Sequence, residues 1–489
     1  TSVRDLKYIT TSAANDINFE TTPDIFTFNF GKHHGQFVIA HDGTPKVIGD
    51  GNYRVDLSNF AIQRMNSFTA SSSIIITTDD GTKYTFGGAP ESLEISLRMQ
   101  LENGNIKAET YNGIINAFYL TRIETIDGNT VTLEYKTYIS QVNKYVDEDN
   151  IVKNCYYADG TSSAYGYSNT LWFNNGISTT PHCTFTKVAY LSAIKSSAGS
   201  VTFNYAAKEY PFCTGDTHWR KKTLKLDNII VRNNNNEVVK GIKLYHSYSV
   251  AKDNRSYRMF LTDILSGKEK YSFEYNTRTE LPIPETRGID LRGYYNGNDN
   301  NSTLLALNYG SNPDQVNLSH RQPDFTSASK AMLKKITYPT GGTTEFTFEN
   351  HRYGTRIHRI FESPYPHPWE TEKPGMVGGL RIKEIKNVPG ETRTFEYETD
   401  QSQRGDNISS GVFSDLKTYA ILAHFNHIGF GITTWFISEA NNVVHANSFS
   451  ESDIVYSRVT EKCGTGNGKK VYDYSTYLDA PDLPTLGDN

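Results

Sequence analysis

The sequence predicts an all-β protein: successive antiparallel β-hairpins forming a long twisted or spiralling sheet, with long loop insertions. Three observations carry this. A segment made of Leu-x-x-Ile, a Gly-bearing turn and an alternating run ending in Phe or Leu, x, Tyr or Phe recurs along the chain. Tyr (32) and Phe (25) far outnumber Met (5), with Thr, Ser, Asn and Gly abundant, which is the usage of twisted sheet with many turns. Strong helix formers rarely occur in series, so helices are expected to be scarce.

The repeat reads LTRIETIDGNTVTLEY (Leu120 to Tyr135), LSAIKSSAGSVTFNY (Leu191 to Tyr205), LTDILSGKEKYSFEY (Leu261 to Tyr275) and LKKITYPTGGTTEFTF (Leu333 to Phe348). A fifth copy, IKEIKNVPGETRTFEY (Ile382 to Tyr397), opens with Ile. Fixed punctuation between two alternating runs is how repeated hairpins look. Starts at Leu191, Leu226 and Leu261 are 35 residues apart, and the Leu226 member turns at Asn233 to Asn236.

Taken in order, residues 1–118 form a β-rich N-terminal region. There PDIFTFNFGKHHGQFVI sets Ile25, Phe26, Phe28 and Phe30 against Phe37 and Ile39, and SIIITTDDGTKYTFGG sets Ile74 and Ile76 against Tyr84 and Phe86. Asp80-Gly81 and Asp127-Gly128 predict type I′ turns, which need positive φ at both central residues. Residues 89–117 read as an irregular loop, because Gly104 and Gly113 interrupt any helical period. Residues 119–279 form a hairpin region with an insertion at 150–185, where the string around Tyr156 to Asn175 is polar, aromatic and turn-rich and reads as an exposed excursion. Residues 280–331, punctuated by Pro282, Pro284, Gly288, Gly293, Gly297 and Gly310, are a long loop insertion. Hairpins return over 332–475, ending in VYSRVTEKCGTGNGKKVYDY, and 476–489 read as a tail or truncation point. The chain opens at Thr1 rather than Met, as a mature or trimmed piece of a longer protein does.

At 489 residues the chain exceeds what one core serves, so several cores or one elongated array are expected. A formal charge of −5 without a basic stripe argues against nucleic acid as a partner. Cys155, Cys183, Cys213 and Cys463 are too few and too scattered for a disulfide scaffold or a zinc site; one disulfide and free buried thiols both fit. No apolar run reaches the ~18 residues that span a bilayer, so no transmembrane segment is expected.

MLKKITYPTGGTTEFTFE (Met332 to Glu349) and GGLRIKEIKN (Gly378 to Asn387) closely resemble the large RHS-like, YD-repeat proteins of Bacteroidetes. TPDIFTFNFGKHHGQFVI, DGTKYTFGG, FYLTRIETIDGNTVTLEY, DLRGYYNG (Asp290 to Gly297) and HRQPD (His320 to Asp324) are similar to the upstream, N-terminal portion of the same family, so the resemblance spans nearly the whole chain. It implies a longer protein whose further tyrosine hairpins build a spiralling β-shell, sometimes around a C-terminal toxin. No segment here resembles the aspartate-containing self-cleavage site of shell-forming relatives, so any toxin or enzymatic domain is expected outside this chain.

Candidate chemistry is sparse. His33-His34, with His41 and Asp42, sit at an expected hairpin tip and are read as a solvent-facing turn. His351, His358 and His367 have no HExxH-like spacing, and HRIFESPYPHPWE reads as an extended Pro-rich loop. Asp290, Asp299, Asp314 and Asp324 offer carboxylates for a glycosidase-like pair, while most such residues cap turns. No phosphate loop, dinucleotide fingerprint or nucleophile elbow occurs, and Gly341-Gly342 and Gly378-Gly379 belong to hairpins. No cofactor, metal or catalytic residue is therefore assigned. Of the aromatics in expected loops, Tyr165, Tyr167, Trp172, Tyr294, Tyr295 and Trp369 are the candidate ligand or partner contacts, although repeat tyrosines ordinarily pack. DLRGYYNG is expected to lock the loop region onto the sheet, with Arg292 beside a carboxylate.

The expected function is a non-enzymatic structural and interaction module of a surface-associated or secreted protein, docking other proteins of a cell-surface or secretion assembly. Outer-membrane association is what the resemblance implies. A surface glycan-binding protein and a hydrolase with a carboxylate pair in 280–330 are the alternatives.

Overall fold

In the computed structural model the expected hairpins form and pair in series. The structure describes residues 25–40, 42–49, 51–61, 71–98, 101–102, 105–106, 112–136, 151–166, 173–174, 178–209, 224–254, 256–283, 286–301, 304, 319–360, 367–371, 374–399, 408–415, 420–427, 431–440, 454–464, 466 and 468–479. The chain divides into two compact units: residues 1–154, 184–209 and 216–243 form the first, and 155–183, 210–215 and 244–489 the second.

In the first unit, strands Ile25–Phe30, His33–Ile39 and Pro45–Gly49 make an antiparallel meander. Phe28, Phe30 and Phe37 are buried with Val55, Ile74 and Ile76, as the period-two alternation predicts. Each such side chain stabilises by roughly 1.5–3 kcal/mol on burial, so this cluster outweighs any single turn. The hairpin ladder then runs antiparallel through Arg54–Asp56, Ser73–Thr77, Lys83–Gly87, Leu120–Glu124, Thr130–Tyr135, Leu191–Ser196, Gly199–Ala207 and Leu224–Asn233 to the start of Val238–Val250.

The second unit continues the same logic through Tyr257–Ser266, Glu269–Tyr275, Leu333–Thr337, Thr343–Tyr353, Gly375–Val388, Thr392–Glu396, Arg458–Cys463 and Lys469–Asp473. It also contains a four-stranded sheet in the order His367–Thr371, Thr355–Ile360, Gly411–Asp415, Ile454–Tyr456, whose middle pair is parallel.

The terminal aromatic of the repeat has two tasks, and in three copies, at Tyr135, Tyr205 and Tyr275, it performs both. Its backbone pairs with the first residue of the next copy: Tyr135 with Leu191, Tyr205 with Leu226, Tyr275 with Leu333 and Phe348 with Ile382, each directly after a bulge. Its hydroxyl reaches back to the first carbonyl of its own copy, from Tyr135 to Leu120 (2.8 Å), Tyr205 to Leu191 (2.9 Å), Tyr275 to Leu261 (2.8 Å) and Tyr397 to Ile382 (2.6 Å). The residue preceding that leucine supplies a ring against the tyrosine: Tyr119 on Tyr135 at 5.7 Å, Tyr190 on Tyr205 and Phe260 on Tyr275, both at 5.0 Å. In the fifth copy Arg381 takes that place, its guanidinium 4.1 Å from the Tyr397 ring centre. Burial pushes the Tyr135 and Tyr397 hydroxyls up to about 12, so they remain donors at neutral pH.

Several expectations are corrected. The Asp-Gly turns are three-residue loops, not type I′: Thr78 pairs with Thr82 and Thr125 with Asn129, and only Gly81 (φ +79°) and Gly128 (φ +80°) are left-handed. The Asp80 carboxylate explains why at its own turn. It accepts from the Thr78 hydroxyl (2.6 Å) and the Thr82 amide (2.9 Å), which requires the wider loop and lowers its pKa to about 2. Residues 89–117 are not a loop, since Leu93–Arg98 pairs with Asn112–Phe118. The excursion at 150–185 contains the strand Ile151–Gly166, paired along eight residues with Gly431–Ala440, and the strand Ser178–Lys187. The Pro-rich loop holds the paired strands Thr355–Ile360 and His367–Thr371. His33 is no solvent-facing turn residue: the turn is Gly31-Lys32, and the half-buried His33 ring meets Phe30, Tyr53 and Tyr84, with Nδ1 3.3 Å from the Tyr53 hydroxyl.

Candidate functional site

Residues 286–301 fold over the Gly375–Val388 strand. The turn from Asp290 to Tyr294 repeats the hairpin device: the Asp290 amide donates to the Tyr294 carbonyl, and Gly293 is left-handed. The Asp290 carboxylate accepts from the Arg292 amide at 2.8 Å and the Tyr294 amide at 3.1 Å. It is 1% exposed and sits against Gly378, where any Cβ would overlap its oxygens. Burial pushes its pKa up, opposed by those two amides and by Arg321 and Arg292.

Arg321, 2% exposed, ties the loop together. Its guanidinium donates to the carbonyls of Ile289 (2.8 Å), Leu304 (2.7 Å) and Asp290 (2.8 Å). A buried charge is tolerated only when its donors are satisfied in this way. The Asn296 amide adds bonds to the His320 and Gln322 carbonyls, both at 3.0 Å. Arg292 lies with its guanidinium 4.7 Å from the Phe413 ring centre, so it meets an aromatic face as well as the Asp290 charge.

Beneath the turn lies a polar cluster within the sheet. Arg381 pairs with Glu349 (2.7 Å) and stands over the rings of Tyr397 and Tyr456. His351 Nδ1 is 2.8 Å from the Tyr456 hydroxyl, and burial, with the Arg381 charge, lowers its pKa to about 4, leaving it neutral. Gly379 is left-handed (φ +96°), and a side chain there would press on His351 and Tyr294. The cluster was missed in the sequence, though one sign was visible: Arg381 occupies the position that an aromatic holds in three other copies.

The six candidate aromatics do not form one group among the described residues. Tyr294 is 48% exposed on the docked turn. Tyr295 is half-buried: its hydroxyl donates to Asp299 (2.7 Å) and receives the Lys252 ammonium (2.9 Å), which also bonds Asp299. Those bonds hold the Lys252 pKa up. Tyr165 lies in strand Ile151–Gly166 opposite Thr434, and Trp369 in strand His367–Thr371 opposite His358. Tyr167 and Trp172 lie outside the described residues. Of the four loop carboxylates, Asp290 plugs the sheet, Asp299 holds Lys252 and Asp324 caps the helix Phe325–Ala328 through the Ser327 amide (2.7 Å), while Asp314 lies outside the described residues.

Among the described residues no group of three or more His, Cys, Asp or Glu side chains could hold a metal ion, and no helix is long and apolar enough to cross a membrane. Cys463 is a half-buried free thiol. No protein-family model matches the chain, and no curated protein sequence matches it.

Proposed function

We propose that the chain is a non-enzymatic structural and interaction module: a β-hairpin scaffold within a large surface-associated or secreted protein of RHS-like kind, presenting surfaces to other proteins of a cell-surface assembly. The observation that supports this most is the tyrosine seam. Residues that would stack on a ligand in a binding protein are here committed to closing hairpins and joining each copy to the next. The described carboxylates of the loop region are likewise occupied by amides, a lysine or a helix end.

Affinity purification of the chain from native membranes tests the reading, with a stable protein complex expected. Metal-independent hydrolysis with a bell-shaped pH profile, abolished by Asp290→Asn or Asp299→Asn, would replace it. A glycan-binding role is the second reading, favoured by the exposed ring of Tyr294. It requires glycan-array binding that disappears in Tyr294→Ala/Tyr295→Ala.

A further inference from the structure

Three Asp-Gly turns in the first unit share one backbone geometry and differ in how the carboxylate is held. In each, the first residue's amide donates to the carbonyl four residues on: Ala40 to Thr44 (2.8 Å), Thr78 to Thr82 (3.0 Å) and Thr125 to Asn129 (3.0 Å). The glycine amide donates back to the first residue's carbonyl at 2.8–2.9 Å, and Gly43, Gly81 and Gly128 are left-handed at φ +81°, +79° and +80°.

Two of the three carboxylates are locked. Asp42 accepts from the Thr44 amide (2.9 Å) and hydroxyl (2.6 Å), and Asp80 from the Thr82 amide and the Thr78 hydroxyl at the same two distances. In the third turn the residue two beyond the aspartate is Asn129, and its amide donates instead to the Thr125 hydroxyl oxygen at 3.2 Å. Among the described residues nothing bonds the exposed Asp127 carboxylate. Gly81 is also covered by Ile126, whose Cδ1 lies 3.2 Å from the place a Cβ would take, whereas the same place at Gly128 is open.

We propose that Asp127-Gly128 is a spontaneous modification site, at which the aspartate isomerises to an isoaspartyl linkage. Glycine has no side chain to shield its amide nitrogen, so a free carboxyl on the preceding residue is within reach of it. The Gly128 nitrogen bonds to Asp127 Cγ, and the amide proton leaves with the side-chain hydroxyl as water, closing a cyclic imide. Water then cleaves one of the two carbonyl–nitrogen bonds. Opening at Cγ restores aspartate, and opening at the backbone carbonyl leaves the chain running through Cγ with a free α-carboxylate. Nothing is oxidised, and the water released is the water taken up.

Giving up the glycine amide bond is common to all three turns and does not separate them. Asp42 and Asp80 must in addition give up their locks. Those bonds, the threonine hydroxyl's above all, hold both carboxyls below the usual range, which keeps the neutral acid that loses hydroxide scarce. The new linkage adds a methylene to the backbone of the turn, so the Thr125–Asn129 closure no longer fits and Ile126 leaves Gly81. This site goes beyond the scaffold reading and does not depend on it.

The test is peptide mapping of the full chain after incubation in mildly acidic buffer. Isoaspartate is located by fragmentation and by methyl transfer from S-adenosylmethionine to its α-carboxylate, with an isoaspartyl methyltransferase as the reagent. It is expected to accumulate at Asp127 at least about tenfold faster than at Asp42 or Asp80. Thr78→Val deletes the hydroxyl of one lock and should raise the Asp80 rate severalfold. Asn129→Thr, on the exposed turn, offers Asp127 the hydroxyl that Asp42 has and should slow it. In urea the unfolded chain should isomerise at all three positions at comparable rates. No isoaspartate at Asp127, equal rates at Asp127 and Asp80 in the folded chain, rates indifferent to both substitutions, or a preference for Asp127 that persists in urea would overturn the proposal.

Discussion

The Tyr397 hydroxyl donates to the Ile382 carbonyl at 2.6 Å, closing the fifth hairpin copy under the Arg381 guanidinium. Tyr397→Phe keeps the ring and deletes that bond. It should cost about 0.5–1.5 kcal/mol in urea unfolding, and Tyr135→Phe about the same. Phe348, at the corresponding position of the fourth copy, has no hydroxyl, so Phe348→Tyr should gain a few tenths to about 1 kcal/mol. A Phe348→Tyr variant less stable than wild type would show that the seam geometry is not shared by this copy.

Gly378→Ala should detach the loop from the sheet. Its Cβ would overlap the Asp290 carboxylate, which is backed by the turn and cannot simply swing away. Overpacking of this kind costs about 1–3 kcal/mol. Hydrogen exchange should rise across residues 286–301 and stay unchanged in the first unit.

Arg321→Lys should be among the most damaging single changes in the second unit. An ammonium cannot reach three carbonyls arranged around a planar fork. Leaving buried acceptors unpaired costs about 1–3 kcal/mol each. Limited proteolysis of the 286–301 region reads the outcome, and wild-type resistance would count against the role given to Arg321.

Stability should fall on mild acidification because of His351. Its pKa drops from 6.5 to about 4 on folding, so the unfolded chain takes up the proton first. The favourable contribution is complete above pH 6.5 and is lost as pH falls towards 4. Asp290 works in the other direction: its raised pKa makes its contribution greatest below the unfolded value and smaller as pH rises through the folded one. His351→Gln should flatten the profile between pH 6.5 and 4, and Asp290→Asn should flatten it above pH ~4. A His351→Gln profile that parallels wild type over that interval would refute the assignment.

The hairpins were legible because each carries its own alternation and turn within about 16 residues. The buried rows of Phe28, Phe30, Ile74 and Ile76 follow directly from period two. Strand Ile151–Gly166 was not legible, since its small and polar residues alternate weakly and its partner, Gly431–Ala440, is supplied from far along the chain. His33 turned inward for the same kind of reason: Tyr53 and Tyr84 complete its surroundings from other strands. In the loop region, the expectation that DLRGYYNG docks on the sheet anticipated the Asp290–Gly378 contact. The partners of Asp290 and Arg321 are backbone groups, and no side-chain pattern announces those.

The seam also determines where the chain can be lengthened. Tyr135 and Leu191 are adjacent although 55 residues separate them, whereas Tyr205 and Leu226 meet across 20. The two anchor residues hold the ends of the intervening segment at a constant separation whatever its length, and the entropy of closing a loop grows only as the logarithm of that length. Each tyrosine-to-leucine junction is thus a splice point, at which a foreign domain could be grafted without altering the register of the strands on either side.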